Sequence, residues 1–393
     1  MNCRICDHSG LESGVDLGQQ PWANHFLRPN EIGSERAYPL RVVWCPRCRA
    51  AQLDFTVSKE TLFGNHTYRS GVTATLNKHF EDMARCVFMR FSPKTVLDIG
   101  SNDGTQLKYY KALGCEVLGI EACATIAAIA QEAGIPTWAG FWNETVADMP
   151  CRTFDIVNAS GVLFHLEDLH SAMRGIRKCL ADDGVLIISA LYWPRILEIG
   201  AWDQIYHEHL LYYSLESLEA LLAFHWLEIF DCYLSPIHGG SLIAFVSHRA
   251  RKPTQKRYND FLRQERQTDC NTLGALHRFE DRMRENILQE RERLVAWHRA
   301  GKRVFGMGAP VKGNTRLNAI GANPDVIAYL MERNELRRGL IAPGSHIPIR
   351  LEDEIAEPPD VYYVLAWNFR EEILARYRAL VDAGVEFHFP VEA

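Results

Sequence analysis

Residues 94–121 read KTVLDIGSNDGTQLKYYKALGCEVLGIE, and this stretch decides the fold. Residues 95–99 are a short, β-branched apolar run bounded by turn formers, the pattern of a strand buried in a parallel sheet. Residues 100–104, GSNDG, have the composition of a tight turn that opens a helix. A second apolar run at 116–120 ends on the acid Glu121. Strand, glycine turn, helix, strand, acid is the order of a nucleotide-type site. Glycine lets backbone approach a ligand, the helix N-terminus favours negative groups, and a carboxylate about 20 residues on accepts hydrogen bonds from a ribose diol.

The glycine spacing is not GxGxxG. The turn Asp98-Ile-Gly100-Ser101-Asn102-Asp103-Gly104 resembles motif I of S-adenosylmethionine (SAM) methyltransferases, DxGxGxG, with Asn102 in place of the middle glycine. Asp98 and Asp103 suit a cationic sulfonium and amino group better than a pyrophosphate. The bland alternative is an ordinary strand–turn–helix of an α/β core. Downstream, the Gly140-Phe141-Trp142 turn falls where methyltransferases pack around adenine, although such aromatics are as often plain core. Strands are expected at 154–159, 184–190, 226–232 and 240–247. The carboxyl ends of parallel strands share one edge, where ligands bind. His165, at the exit of the 154–159 strand, is thereby brought near the glycine turn. So is an insertion at 191–214 carrying Tyr206-His207-Glu208-His209. Four proton-handling groups in succession at that edge favour a catalytic reading over a hydrogen-bonded surface loop. A zincin site is not indicated, because HEH lacks the HExxH spacing.

Composition is that of a cytoplasmic globular protein: 393 residues, 47% hydrophobic, 23% charged, net charge −6. That balance gives no electrostatic footprint for nucleic acid, and no apolar run is long enough to span a membrane. The N-terminus lacks a signal-peptide pattern, so the eleven cysteines are expected as thiols or metal ligands. Cys3-x-x-Cys6 and Cys45-x-x-Cys48 form two CxxC pairs, the arrangement that offers zinc four thiolates in a closed, structural site far from the chemistry. The alternative, four unrelated buried cysteines, is disfavoured by two intact pairs in one short segment. His8 and His25 are expected at the surface.

The last third reads as a polar linker at 249–257, a helical stretch at 264–300 with a packing stripe (Leu276, Phe279, Met283, Ile287, Leu294, Trp297), and a further α/β unit from Lys302. There the run 306–314, GMGAPVKGN, is expected as a glycine loop before a helix, with Lys312 as a point charge and Asn314 as a donor for phosphate. Three domains result: 1–70 zinc-binding, 71–250 SAM-dependent and 251–393 C-terminal.

Taken with Tyr68-Arg69-Ser70 and the PGSHIP turn at 343–348, these motifs resemble the SAM-dependent sugar C-methyltransferase family over nearly the whole chain. The resemblance implies an α/β protein with a central Rossmann-like SAM domain, a small N-terminal zinc module and a C-terminal Rossmann-like domain that helps hold a dTDP- or GDP-linked sugar. It implies methylation of a carbon next to the ketone of a nucleotide-linked deoxysugar. His209 is then the base, surrounded by Tyr206, Glu208, His165 and Tyr68, while His207 is turned elsewhere. SAM is expected on Asp98, Gly100, Ser101, Asn102, Gly104, Glu121 and Phe141, and the nucleotide sugar on Lys312 and Asn314. Competing readings are an O- or N-methyltransferase, a zinc scaffold with a vestigial SAM fold, and an NAD-dependent sugar oxidoreductase. The oligomeric state is left open; a monomer is compatible with the sequence.

Overall fold

The computed structural model describes residues 1–63, 70–150 and 152–392. Tyr68, one of the expected site residues, lies outside the described residues. The chain is a mixed α/β protein, and its described residues form three sheets of four, seven and five strands.

The central sheet is the Rossmann-like one announced by residues 94–121. Thr95–Ile99 lies inside it, parallel to Glu116–Glu121 on one side and to Phe154–Ser160, the middle strand, on the other. Thr137–Ala139 extends it beyond Glu116–Glu121, and Leu180–Leu191 beyond Phe154–Ser160. Ser241–His248 and Leu227–Ser235 then close that side as an antiparallel pair. The central strands are buried along most of their lengths, as their near-continuous apolar runs require, with Asp98 and Asn158 buried among them.

The C-terminal sheet is parallel throughout, in the order Ile349–Leu351, Leu330–Glu332, Val304–Met307, Val361–Val364, Glu386–His388. Its chain order reverses around Val304–Met307, and the ends of such strands are where open α/β sheets bind ligands. Two expectations are corrected here. The helical stretch before it is two helices, Lys256–Gln267 and Leu273–Arg299, because the hydroxyl of Thr272 accepts the N–H of Ala275 and starts the second. The expected stripe along the second holds, with Leu276, Phe279, Met283, Leu294 and Trp297 buried. The expected glycine loop is mostly not a loop. The strand runs through Gly306 to Met307 and the next helix, Val311–Ala319, begins just after Pro310, so Lys312 and Asn314 are helical residues.

The N-terminal module pairs Glu12–Pro21 with Ala37–Trp44 and that strand with Ala51–Leu53. Its fourth strand is borrowed. Leu211–Tyr212, from the insertion after Leu180–Leu191, pairs antiparallel with Ala51–Leu53. The module also leans on the C-terminal third: Leu27 forms an isolated bridge with Ile341, and the Leu273–Arg299 helix packs on the Glu12–Pro21 strand. One hydrophobic core runs through residues of all three regions. Among the described residues, no helix is long and apolar enough to cross a membrane.

Candidate active site

The carboxyl edges of both Rossmann-like sheets open on one cavity of about 650 Å³, inside the range of about 300–1,000 Å³ usual for small-molecule sites. From the central sheet it takes Gly100, Asn102, Glu121, Phe141 and His165. From the insertion it takes Gln204, Tyr206, Glu208 and His209. From the C-terminal sheet it takes Gly308, Lys312, Arg333, Asn368 and Arg376, and from the N-terminal module Asn24 and Lys59.

The glycine turn is built around the cavity wall. Gly100 takes φ +72 and packs against Val162, a left-handed conformation that a side chain would strain. Asn102 also has positive φ, +51, which asparagine tolerates better than most residues. That explains why it can stand where the usual motif has glycine. Its Oδ1 accepts the N–H of Ser70 at 2.9 Å, and Asp103 Oδ2 accepts that of Gly71 at 3.1 Å. Glu121 accepts the N–H of Asn102 at 3.0 Å and of Cys123 at 2.8 Å, tying turn and second strand together beneath the cavity.

Not every residue expected to bind SAM reaches the surface. Asp98 is 2% exposed and does not line the cavity. Burial, and then the charge of Glu121, hold its pKa well above the usual carboxylate range. The idea that Asp98 and Asp103 face a cation is therefore corrected: Asp98 lies under the turn and Asp103 is spent on Gly71 and Thr105. Ser101 is buried against Gly119, and Gly104 caps the following helix beside Ala130 and Ile135.

The polar cluster of the insertion is drawn to the strand exit by two bonds. Leu210 N–H donates to Phe164 O at 2.7 Å, and His165 Nδ1 lies 2.6 Å from Glu208 O. The His209 ring, 3% exposed, sits 3.8 Å from the Tyr206 ring and 5.2 Å from that of His165, measured between centroids. Its Nδ1 lies 2.7 Å from Gln204 O. A carbonyl only accepts, so the proton of neutral His209 is on Nδ1 and the basic lone pair is on Nε2. Burial first, then the neighbouring His165, hold its pKa well below an ordinary histidine's, against the opposing bond to Gln204. Glu208 accepts a bond from Trp22 Nε1 at 3.1 Å. His207 turns away, as expected: it packs edge-on against Tyr38 and burial takes its pKa down to about 4.

On the C-terminal side the structure brings Lys312 to the cavity and does not bring Asn314. Lys312 Nζ donates to Asn368 Oδ1 at 2.6 Å and lies 3.4 Å from the Trp367 ring centroid. Burial lowers its pKa to about 7. Asn314 is fully buried, its Nδ2 donating to Ala23 O at 2.6 Å, so it ties the helix to the N-terminal module. The sequence reading missed Gln204, Arg333 and Arg376. The rule that ligands gather at strand exits reaches Arg333, one residue past Leu330–Glu332. Nothing local in the sequence marks Gln204.

The four expected metal ligands converge. The Sγ atoms of Cys3, Cys6, Cys45 and Cys48 lie within 4.8 Å of one another, with Cys3–Cys48 at 3.4 Å and Cys6–Cys45 at 3.5 Å. A tetrahedron with Zn–S bonds of about 2.3 Å has edges of about 3.8 Å, so the set fits zinc. Asp7 and Arg49, each directly after the second cysteine of its pair, take φ +57 and +59, folding each pair into a knuckle. None of the four lines the cavity. The module is nonetheless less remote than expected, since its borrowed strand starts two residues after His209. His8 and His25 are half-buried rather than exposed, and His25 stacks on Trp22.

Residues 3–63 match the family described as "Putative zinc binding domain", residues 72–225 match "Methyltransferase domain", and residues 236–392 match "C-methyltransferase C-terminal domain". The C-methyltransferase NovU of Streptomyces niveus is 30% identical over 398 residues, spanning 99% of this chain and 95% of NovU. Among solved structures, the CcbJ methyltransferase from Streptomyces caelestis aligns with a TM-score of 0.35 at 14% identity, over 44% of this chain and 90% of that one. Magnesium protoporphyrin IX methyltransferase from Synechocystis, with bound SAM, aligns with a TM-score of 0.34 at 14% identity, over 43% and 78%.

Proposed function

The chain belongs to the SAM-dependent C-methyltransferases with an N-terminal zinc module, and from that premise we propose that it methylates the carbon α to the ketone of a nucleotide-linked deoxysugar through an enolate. A saturated carbon is not a nucleophile; removing its proton beside a carbonyl makes it one. The observation that carries the reading is His209, a residue lining a cavity shared by two nucleotide-type sheet edges, whose Nδ1–H is committed to Gln204 O and whose basic lone pair is therefore on Nε2.

Nε2 of His209 takes the α-proton, the C–H electron pair becomes the enolate C=C, and the carbonyl pair moves onto oxygen. Burial keeps His209 unprotonated at neutral pH but also weakens it as a base. Donors around the developing oxyanion, the Tyr206 hydroxyl first, therefore carry more of the barrier. When bound, SAM would supply an electrophilic methyl, the enolate carbon gaining the C–C bond as the S–CH3 bond breaks. Gly100, Asn102, Glu121 and Phe141 would hold SAM, with Glu121 on the ribose hydroxyls. Arg333 and Arg376, with Lys312 where a bound diphosphate favours its charged form, would offer positive charge to that diphosphate from the C-terminal part of the cavity lining. Asn24 closes the cavity from the N-terminal module, so all three regions contribute to one chamber.

The test is incubation with a panel of 4-keto dTDP- and GDP-sugars and methyl-labelled SAM. Label on a ring carbon, with loss of one α-hydrogen, is the expected product. Label on oxygen or nitrogen would overturn the reading in favour of the O- or N-methyltransferase alternative.

A further inference from the structure

The bond that fixes the tautomer of His209 ends on a backbone carbonyl, and that carbonyl sits on a short 3-10 turn, Trp202–Gln204. The central domain alone does not hold this turn. Asp203 Oδ2 accepts Trp367 Nε1 at 2.8 Å and Arg316 Nε at 3.1 Å, both donors coming from the C-terminal sheet region. The Asp203 and Arg316 side chains are fully buried. Arg316 also lies over the Trp202 ring, 4.2 Å from its centroid. Trp202 Nε1 and Arg316 Nη1 share one acceptor, Asn286 Oδ1, at 2.9 and 3.2 Å. The far face of Trp367 is covered by Lys312, which lines the same cavity as Gln204 and His209. A continuous set of contacts thus runs from the C-terminal cavity wall, through Trp367 and Asp203, to the carbonyl that orients the ring.

We propose that Asp203 and Trp367 are positioning residues for His209: by fixing the Trp202–Gln204 turn they hold the Gln204 carbonyl where it keeps the proton on Nδ1 and aims Nε2 into the cavity. The inference rests on the reading of His209 as the base. A buried ion pair is a poor way to gain stability, since desolvating both charges offsets most of their attraction, but it fixes geometry strongly when each donor has one place to go. Its placement one residue before Gln204 puts that geometric constraint on the base. The catalytic domain therefore receives its base orientation from the domain on the other side of the cavity.

Trp367→Phe removes the indole donor and keeps a ring against Lys312; Asp203→Asn keeps an acceptor but leaves Arg316 uncompensated. Because Asp203→Asn is the variant at risk of misfolding, Trp367→Phe is the primary test, with thermal melts on both. Full-length protein labelled with 15N-histidine is observed with S-adenosylhomocysteine bound, and the His209 signals are identified by their loss in His209→Asn. The native protein should show one pyrrole-like Nδ1 and one pyridine-like Nε2. Trp367→Phe should move both toward averaged values, with kcat down about tenfold and SAM affinity within twofold of native. A His209 that keeps its fixed tautomer in Trp367→Phe overturns the proposal and leaves the base assignment intact. Averaged signals with unchanged kcat would overturn the base assignment instead, and with it the catalytic consequence claimed here.

Discussion

Replacing His209 by Asn is the substitution that bears most directly on the chemistry. The Asn side-chain amide can take the place of Nδ1–H and keep the bond to Gln204 O, while Nε2, the nitrogen with the lone pair, is deleted. The structural cost is the lost contact with Tyr206 and Phe164, whose rings sit 3.8 and 4.8 Å from that of His209. SAM binding, proposed to rest on Gly100, Asn102, Glu121 and Phe141, should be preserved. A positioned general base contributes about 10²–10⁴ in rate, or about 3–5 kcal/mol of barrier. Methyl transfer should fall by that factor at saturating substrate, with SAM affinity by calorimetry within a few-fold of native. A second assay separates proton removal from methyl transfer. In deuterated water with S-adenosylhomocysteine in place of SAM, native protein should exchange the substrate's α-hydrogen, and His209→Asn should not. Tyr206→Phe and His165→Asn should slow both processes less, since each removes a polarising contact and leaves the base. Near-native turnover or exchange in His209→Asn would refute the reasoning and transfer the role to His165 or a tyrosinate.

Glu121→Ala should weaken SAM binding by about 10–100-fold, the loss of hydrogen bonds to a charged acceptor of about 1.5–3 kcal/mol; unchanged affinity would remove Glu121 from the ribose. Lys312→Ala should raise the KM of the nucleotide sugar while leaving SAM affinity alone, and an unmoved KM would make Lys312 a structural residue of the Trp367 stack. Purified protein should carry one zinc per chain, and a chelator should lower both Tm and kcat, because Ala51–Leu53 joins the knuckles to the strand that follows His209; zinc-free protein with native Tm would refute this. His207 and His225 are both held to about 4 by burial, below the unfolded value of about 6.5. The unfolded chain therefore binds more protons in acid, so stability is full above about pH 6.5 and falls toward pH 4, by about 1–2 kcal/mol per histidine at pH 5. Urea midpoints that do not change between pH 7.5 and 5 would contradict that sign.

The central fold was legible because its information is local. A buried parallel strand needs a near-continuous apolar run, a turn at its exit needs residues that accept positive φ, and both are written within 94–121. The knuckles were legible for the same reason. What failed shares one cause, that a residue type has more than one physical use. Gly313 looked like loop glycine, yet it sits inside the Val311–Ala319 helix where a Cβ would come within 3.1 Å of Leu365, so it is there for close helix–strand packing. Asp98 looked like a ligand-facing acid, yet it is buried beneath the turn. The asparagine counted as a departure in the motif, Asn102, is what fastens Ser70 to the turn.

The rest could not be read because it depends on pairings between segments far apart in sequence. Trp22 meets Glu208, Ala23 meets Asn314, and Asp203 meets Arg316 and Trp367. Each of these contacts joins two of the three regions, and each lies at or just behind the wall of the cavity. That distribution explains the architecture better than a catalytic domain with two accessories. A methyltransferase sheet supplies one ligand edge, and the proposed mechanism also requires a proton to be removed at a carbon held by something else. The C-terminal sheet supplies a second edge facing the first, and the N-terminal module braces the segment between them by adding strands to Leu211–Tyr212. His209 stands on that segment, with its partner carbonyl anchored from one side and its following strand from the other. On the proposed mechanism, the orientation of the base is therefore a property of the whole chain, and no single region carries it alone.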